Sequence, residues 1–496
     1  MRHSTLILDL GDVFFHWSTS ALTALPGSVL HSVLLSPTWG ALERGELSET
    51  AAVEAIGAEL SIDPAAIQEA LNQCRTTLTV DHGLVAQLKS LKQELKSGLK
   101  VFAMTNISEG DFARLRTVLP DWGLFDDVYT SFDARMRKPE LGFYRHVVRG
   151  IGTQPADMIF VDDKIDNVIA ARSFGMTGIV FESASALVRK LHNLLQDPVP
   201  RAKAFLARHA GNHMSAIENG PAFHDAFSQF LILDVTGDSS LVSLERGSPQ
   251  ATAEQINGAA NGMGEARIWN YFIDAPVGTT TSFPDDVDTT ACSLLALSPP
   301  SSSAHRILDA ILANRNADNL VQTYFCSNRP RVDPVVLTNV VRAFYKYGRG
   351  DEVRDSLDFI RQTLRERGYT DGTLHYYSAE SFLFFLSRLV ASNPACPEVQ
   401  ALRQPLAEHL RNRVGRRDDS LAVVMRVLAC QAVDVWAGSD LEYLKELQDV
   451  DGGWETGWVC RYGRSRKRIG NRGVVTSYAV KALETDMEKE KEPSNE

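Results

Sequence analysis

The hydrophobic pattern of this chain changes period part-way along, and that change limits the possible folds more than any other feature. Over residues 1–195 short apolar runs alternate with amphipathic stretches. TLILDL (5–10), LKVFAMTN (99–106), DMIFVDD (157–163) and TGIVF (177–181) read as strands, with helical segments such as VAQLKSLKQEL (85–95) and the stretch after Asp166 between them. Strands separated by helices pair in parallel, so this region is expected to be α/β with a parallel sheet. From about residue 266 the strand signal stops. AHRILDAILA, DPVVLTNVVRAFYKYG, SAESFLFFLSRLV, DSLAVVMRVLACQAV and VVTSYAVKALE carry apolar positions at helical spacing. Many helices of similar length without a strict repeat suit a paired-helix barrel.

This divides the 496 residues into an α/β domain over 1–195, a connector over 196–265, an all-α domain over 266–485 and a charged tail, DMEKEKEPSNE (486–496), expected to be disordered. The Ala- and Glu-rich residues 20–80 read as a helical cap inserted after the first strand. The connector begins with helical sequence at QDPVPRAKAF and turns rich in Gly, Ser, Asn and Ala over 236–265.

Composition excludes several classes. With 44% hydrophobic and 23% charged residues, global disorder is ruled out. Lys and Arg number 51 against 62 Asp and Glu, a net charge of −11, which argues against broad nucleic-acid binding. No membrane span is expected, because the longest apolar stretch, Phe382 to Val390, is broken by Ser387 and Arg388. The N-terminal apolar run meets Asp9 at once, unlike a signal peptide. Six scattered cysteines, none in CxxC spacing, fit reduced thiols in a cytoplasmic protein.

The chemistry gathers at the ends of the strands, where the active sites of parallel sheets lie. Asp9, Thr105, Lys138 and the Asp162-Asp163 pair follow one another in that order. An aspartate there can attack phosphorus, a hydroxyl and an ammonium can hold phosphoryl oxygens, and paired carboxylates suit Mg²⁺. In this combination residues 1–195 resemble the haloacid dehalogenase-like (HAD) superfamily. LILDLGDV resembles its motif I, with Asp9 as nucleophile; VFAMTN resembles motif II, with Thr105 and Asn106 at the phosphate; RKPE resembles motif III, with Lys138; and FVDDKIDN resembles motif IV. The resemblance implies Mg²⁺ held by Asp9, Asp162 and Asp163, with Asp166 a further candidate. HAD phosphatases usually carry a leaving-group acid two residues after the nucleophile, and this chain has Gly11 there, beside Asp12. That departure implies slow hydrolysis.

The helical region holds SFPDDVDTTACSL. Asp285, Asp286 and Asp288 with Thr289 and Thr290 read locally as a helix cap, and alternatively as a carboxylic acid poised beside a second carboxyl. An acid that protonates a carbon–carbon double bond needs an aromatic-lined cavity for the cation, and this region is rich in Trp, Tyr and Phe. Asp286-Val287-Asp288-Thr289-Thr290 resembles the DxDTT variant of the DxDD motif of class II terpene cyclases, and Gln448 to Trp454 resembles their QW motif. The resemblance implies an α/α-barrel over 266–485, with Asp288 as general acid and Asp286 as its partner. Six cations lie within 461–472, and Arg461, Arg464, Arg466, Lys467 and Arg468 are the candidate diphosphate ligands.

Together the halves resemble the fused HAD–terpene cyclases of drimane-type sesquiterpenes. The implied substrate is farnesyl diphosphate, cyclised by protonation to drimenyl or albicanyl diphosphate and then dephosphorylated to the alcohol. Three other readings fit the same residues: a cyclase whose HAD domain binds diphosphate but hydrolyses it slowly, a small-metabolite phosphatase with a helical binding module, and a non-catalytic scaffold. The position of the last double bond, the terminal base and the oligomeric state are open at this point.

Overall fold

In the computed structural model, which describes residues 3–20, 22–95, 98–244 and 267–491, the alternating apolar runs of the N-terminal region become one parallel sheet. Its five strands lie in the order Asp127–Thr130, Lys100–Thr105, Thr5–Leu8, Met158–Asp162 and Thr177–Val180. The central strand pairs in parallel with both neighbours, Leu8 lying opposite Ala103 and Val161. Successive side chains point to opposite faces. Leu6, Leu8, Val101, Ala103, Ile159 and Val161 therefore enter one core, and Ile7, Phe102, Met104, Met158 and Phe160 the other. Burial on both faces explains why these strands read as continuous apolar runs. The edge strand Asp127–Thr130 escapes that signal because it is short and mostly half-exposed.

The inserted cap is helical. Gly27–Leu34, Pro37–Glu43, Glu49–Leu60 and Pro64–Thr76 enclose a separate core around Trp39, Ile56 and Ile67. Ser36, Ser48 and Asp63 cap the last three, each accepting a backbone N–H of the first turn.

The chain divides into two units, Met1–Gln196 and Asp197–Glu496. In the second, six helices form a closed ring: Ala226–Thr236, Val287–Leu297, Pro334–Lys346, Ala379–Ser392, Ser420–Ala432 and Arg472–Lys491, each packing on the next and the last on the first. Helices such as Ser301–Leu312, Arg354–Arg365 and Arg403–Arg411 share the same core. The Gln448–Trp454 segment is a clip. Gln448 Nε2 donates to the carbonyl of Pro198 at 2.9 Å, and the buried Trp454 donates Nε1 to that of Leu444 at 2.7 Å. Gly452 has φ +92°, and a Cβ there would press into the backbone of Arg201, so this turn requires glycine.

The structure departs from the expected connector. Helix Pro198–Arg208 packs on Arg472–Lys491, and Ala226–Thr236 is a member of the ring, because Phe205, Leu206, Phe227 and Phe230 are core residues. The Gly- and Ser-rich stretch expected over 236–265 falls largely at 245–266, outside the described residues. The unit also carries a sheet that a purely helical reading omits. Trp458–Arg461, Arg468–Asn471, Ser215–Ile217 and Ala222–Phe223 pair antiparallel in that order. The expected tail is helical as far as Lys491, and 492–496 lie outside the described residues. No helix among the described residues is long and apolar enough to cross a membrane.

Candidate active sites

The carboxyl ends of the central strands bring the first constellation together. Asp9 leaves the first strand, its N–H donating to the Val161 carbonyl at 2.9 Å, and Asp162 ends the neighbouring strand. Between them sits Lys138, only 1% exposed, with Nζ 2.8 Å from Asp9 Oδ1 and 2.6 Å from Asp162 Oδ2. Asp162 Oδ1 accepts from Asn167 Nδ2 and the Lys164 N–H, both at 2.9 Å. Burial raises both carboxyls, but Lys138 with these donors outweighs it at Asp162, which is held below the usual aspartate range. Asp9, with fewer donors and Asp162 nearby, stays above that range.

Asp163 completes the group. Oxygens of Asp9, Asp162 and Asp163 all lie within 4.8 Å of one another, and Asp163 Oδ1 is buried with no hydrogen-bond partner. Three converging carboxylates, one with an unsatisfied oxygen, fit a hard divalent cation. Asp166 is exposed and lies outside the cluster.

Thr105, the last residue of its strand, is buried. Asn106 is engaged elsewhere than expected: its Oδ1 accepts the Lys138 N–H at 2.7 Å and its Nδ2 donates to the Lys138 carbonyl at 2.9 Å. It clamps the lysine. A Cβ at Gly11 would meet no atom within 4 Å, so this position opens onto free space, while Asp12 is exposed with φ +56°.

The second constellation lies where the ring helices begin. Asp286 is the N-cap of Val287–Leu297, its Oδ1 accepting the Thr289 N–H at 2.7 Å, while its Oδ2 is buried without a partner. Asp288, in the first turn, accepts from Asn339 Nδ2 at 2.8 Å and from the Tyr376 hydroxyl at 2.5 Å. Burial pushes Asp286 up to about 8, the Asp288 charge adding to it, and Asp288 up to about 6 against the opposing donors Tyr376 and Asn339. Among the described residues no Lys or Arg pairs with either carboxyl. A raised carboxyl keeps its proton to higher pH than a free one.

Both aspartates line a cavity of about 930 Å³, within the size range of small-molecule sites. Phe227, Tyr271, Phe283, Tyr324, Tyr376 and Tyr462 supply aromatic wall. Other aromatic residues of the region are core instead, Phe344, Phe384 and Trp454 among them, and Trp436 is 80% exposed. The aspartates are buried, whereas Arg331 and Arg464 on the same wall are exposed, giving a carboxyl floor and a cationic mouth.

The basic run 461–472 is divided by the hairpin it forms. Arg461 and Arg464 line the cavity, and Arg461 also hydrogen-bonds the carbonyls of Thr373 and Leu374. Arg468 pairs with Glu218 and lies over the Trp458 ring, and Arg472 pairs with Asp449 and Asp451. Arg466 and Lys467 are exposed in the turn, off the cavity wall. Arg329 and Arg331 take their place on that wall, Arg329 lying over the Phe283 and Tyr324 rings. Sequence reasoning missed this pair and Asn339. The segment RPRVD has the look of any basic loop, and a lone Asn in an apolar helix carries no local signal.

Residues 199–347 match a family model described as the sesquiterpene cyclase astC-like C-terminal domain, and residues 50–181 one described as haloacid dehalogenase-like hydrolase. The drimenol cyclase drtB of Aspergillus calidoustus is 38% identical over 478 residues, covering 96% of this chain and 87% of that protein. The sesquiterpene phosphatase astK of Aspergillus oryzae is 36% identical over 190 residues, 38% of this chain and 95% of that protein. Among solved structures, a HAD family enzyme of Bacteroides thetaiotaomicron in complex with magnesium and inorganic phosphate is 18% identical with a TM-score of 0.30, covering 36% of this chain and 94% of that one.

Proposed function

Because this chain belongs to the family of HAD-fused drimane sesquiterpene cyclases, we propose that it cyclises farnesyl diphosphate to a bicyclic drimane diphosphate and then removes the phosphates to leave the alcohol, drimenol. The observation that carries the reading is the buried, cation-free carboxyl pair Asp286 and Asp288 in the wall of an aromatic cavity with arginines at its mouth.

Asp288 delivers its proton to the terminal double bond of the substrate. Two ring closures follow, each moving the positive charge one tertiary carbon closer to the diphosphate. The Asp288 carboxylate left behind is stabilised by its donors Asn339 and Tyr376. Asp286, protonated at neutral pH, adds no second negative charge beside it. The faces of Phe227, Tyr271, Phe283 and Tyr324 stabilise the migrating cation without reacting with it. Arg329, Arg331, Arg461 and Arg464 hold the diphosphate, which stays attached because protonation, not ionisation, starts the reaction.

In the HAD unit Asp9 attacks phosphorus to form an aspartyl-phosphate that water hydrolyses, and two rounds release the alcohol. Lys138 and Thr105 hold the phosphoryl oxygens, and Asn106 holds Lys138. Asp9, Asp162 and Asp163 would hold Mg²⁺, which supplies positive charge to the transferring phosphoryl group. Gly11 supplies no acid for the leaving oxygen, so the second reaction is the slower of the two.

The test is incubation of the full chain with farnesyl diphosphate and Mg²⁺, with products analysed before and after an added phosphatase. A bicyclic drimane alcohol is expected in both samples, more after phosphatase. Farnesol alone in both samples would sink the cyclase reading, and bicyclic alcohol only after added phosphatase would sink the hydrolysis.

A further inference from the structure

A cyclisation that begins by taking up a proton ends by losing one, and substrate geometry dictates where. In a bicyclic drimane cation the last positive carbon is three bonds from the diphosphate oxygen, and the carbon protonated first lies across both rings. Acid and base therefore belong at opposite ends of the cavity. With Asp288 on the buried floor, the base belongs near the arginine mouth.

His375 lines the cavity within electrostatic reach of Arg331 and Arg461. It lies on the turn Thr373–Tyr376, closed by a Thr373 N–H to Tyr376 carbonyl bond of 2.6 Å. The Arg461 N–H donates to its carbonyl at 2.7 Å, and its ring meets Tyr324 edge-on with centroids 5.8 Å apart. Its Nε2 is buried and has no hydrogen-bond partner. A neutral imidazole carries a lone pair on one of its ring nitrogens. Burial, with Arg331 and Arg461 adding, holds the imidazole neutral against the opposing pull of Asp333 and the Arg461 backbone.

Two other candidate acceptors of this wall, Cys460 and Tyr462, are already engaged. Burial pushes the Cys460 thiol up to about 12, so it keeps its proton, and the Tyr462 hydroxyl donates to the Val277 carbonyl.

We propose that His375 is the catalytic base that ends the cyclisation. Its Nε2 lone pair takes a proton from a carbon next to the last cation, the C–H electron pair becomes the new double bond, and the imidazole becomes imidazolium. One proton enters from Asp288 and one leaves to His375, so the product is an isomer of the substrate with its diphosphate intact. This inference rests on the cyclase reading above.

The test compares full-length wild type, His375→Gln and His375→Ala on farnesyl diphosphate, with added phosphatase so that alcohols and diphosphates are read together. Folding is followed by thermal melting, and His375→Gln, closer in size to histidine, decides if the alanine variant is unstable. Substrate consumption persists in the variants. The wild-type alkene falls about tenfold or more in share, replaced by its double-bond isomer and by the bicyclic diol formed when water captures the cation. Added imidazole restores the wild-type alkene in His375→Ala. An unchanged product profile in both variants would overturn the proposal and assign the proton to the diphosphate. Loss of all consumption in variants that melt normally would overturn it too, since a base that acts last is not needed for the first proton. Wild type without any bicyclic product would instead overturn the cyclase reading itself.

Discussion

Two clusters of buried aspartates, one in each unit, differ in whether a cation stands among them. Asp9 and Asp162 share one buried ammonium, Lys138, at 2.8 and 2.6 Å. Asp286 and Asp288 have no cation partner among the described residues and are raised by burial to about 8 and about 6. In the first, Lys138 holds Asp162 as a carboxylate while burial raises Asp9 to about 7, and the three converging carboxyls suit a metal. The second keeps a carboxylic acid, able to give a proton away. Both are aspartates at the ends of regular elements, so neither residue type nor burial distinguishes the roles; the counter-ion does.

Exchanging charge for neutrality in each cluster is the most severe test of that contrast. Asp9→Asn is expected to abolish phosphate release, a loss on the order of 10⁴-fold or more, with bicyclic diphosphate accumulating. Asp288→Asn should lower bicyclic product about 10²–10⁴-fold and leave phosphate release from a simple phosphomonoester unchanged. A variant that loses both activities would break the division of labour. The first cluster also lacks a proton donor, and supplying one sharpens the comparison. Gly11→Asp places a carboxyl in open space and is expected to raise phosphate release up to about 10²-fold; an unchanged rate would show that no acid was missing. A smaller effect is expected at the cavity mouth. Arg331→Ala with Arg464→Ala should raise KM for farnesyl diphosphate about tenfold with kcat retained, as for loss of a charged hydrogen bond. A fall in kcat alone would place the diphosphate elsewhere.

The smallest effect is a shift along the pH axis. Asp288 acts while protonated, so its raised value places the alkaline limb of the cyclase near pH 6 rather than near 3.8. The Tyr376 hydroxyl stabilises the carboxylate and opposes that rise. Tyr376→Phe therefore moves the limb to higher pH, by about one unit. A limb that stays put or moves down would remove Tyr376 from the control of Asp288.

Much of the HAD unit is legible from the sequence because its strands are buried on both faces and carry their polar residues at one end. Four of the five strands of the parallel sheet read directly, and the structure brings Asp9, Lys138, Asp162 and Asp163 together. In the second unit DDVDTT is legible as a contiguous motif, but what surrounds it is not. Asn339 and Tyr376, the donors to Asp288, lie 51 and 88 residues from it. Phe227 lies before the expected start of the domain, on a helix whose role depends on closing a ring with Arg472–Lys491. Of the basic run, only Arg461 and Arg464 line the cavity, because a hairpin sends its neighbours to other surfaces. Pattern reading finds what is local, and ring closure is not.

That closure bears on how a chain of this kind can be taken apart or assembled by recombination. The first stave of the barrel, Ala226–Thr236, and the brace Pro198–Arg208 stand well upstream of the acid motif. An exchange of modules at residue 266 would carry off five staves of six and leave the hoop open on the side that bears Phe227. The seam that keeps both pieces whole lies between Gln196 and Asp197. A shuffled or transplanted cyclase module of this lineage must begin there, far upstream of the acid motif Asp286–Thr290.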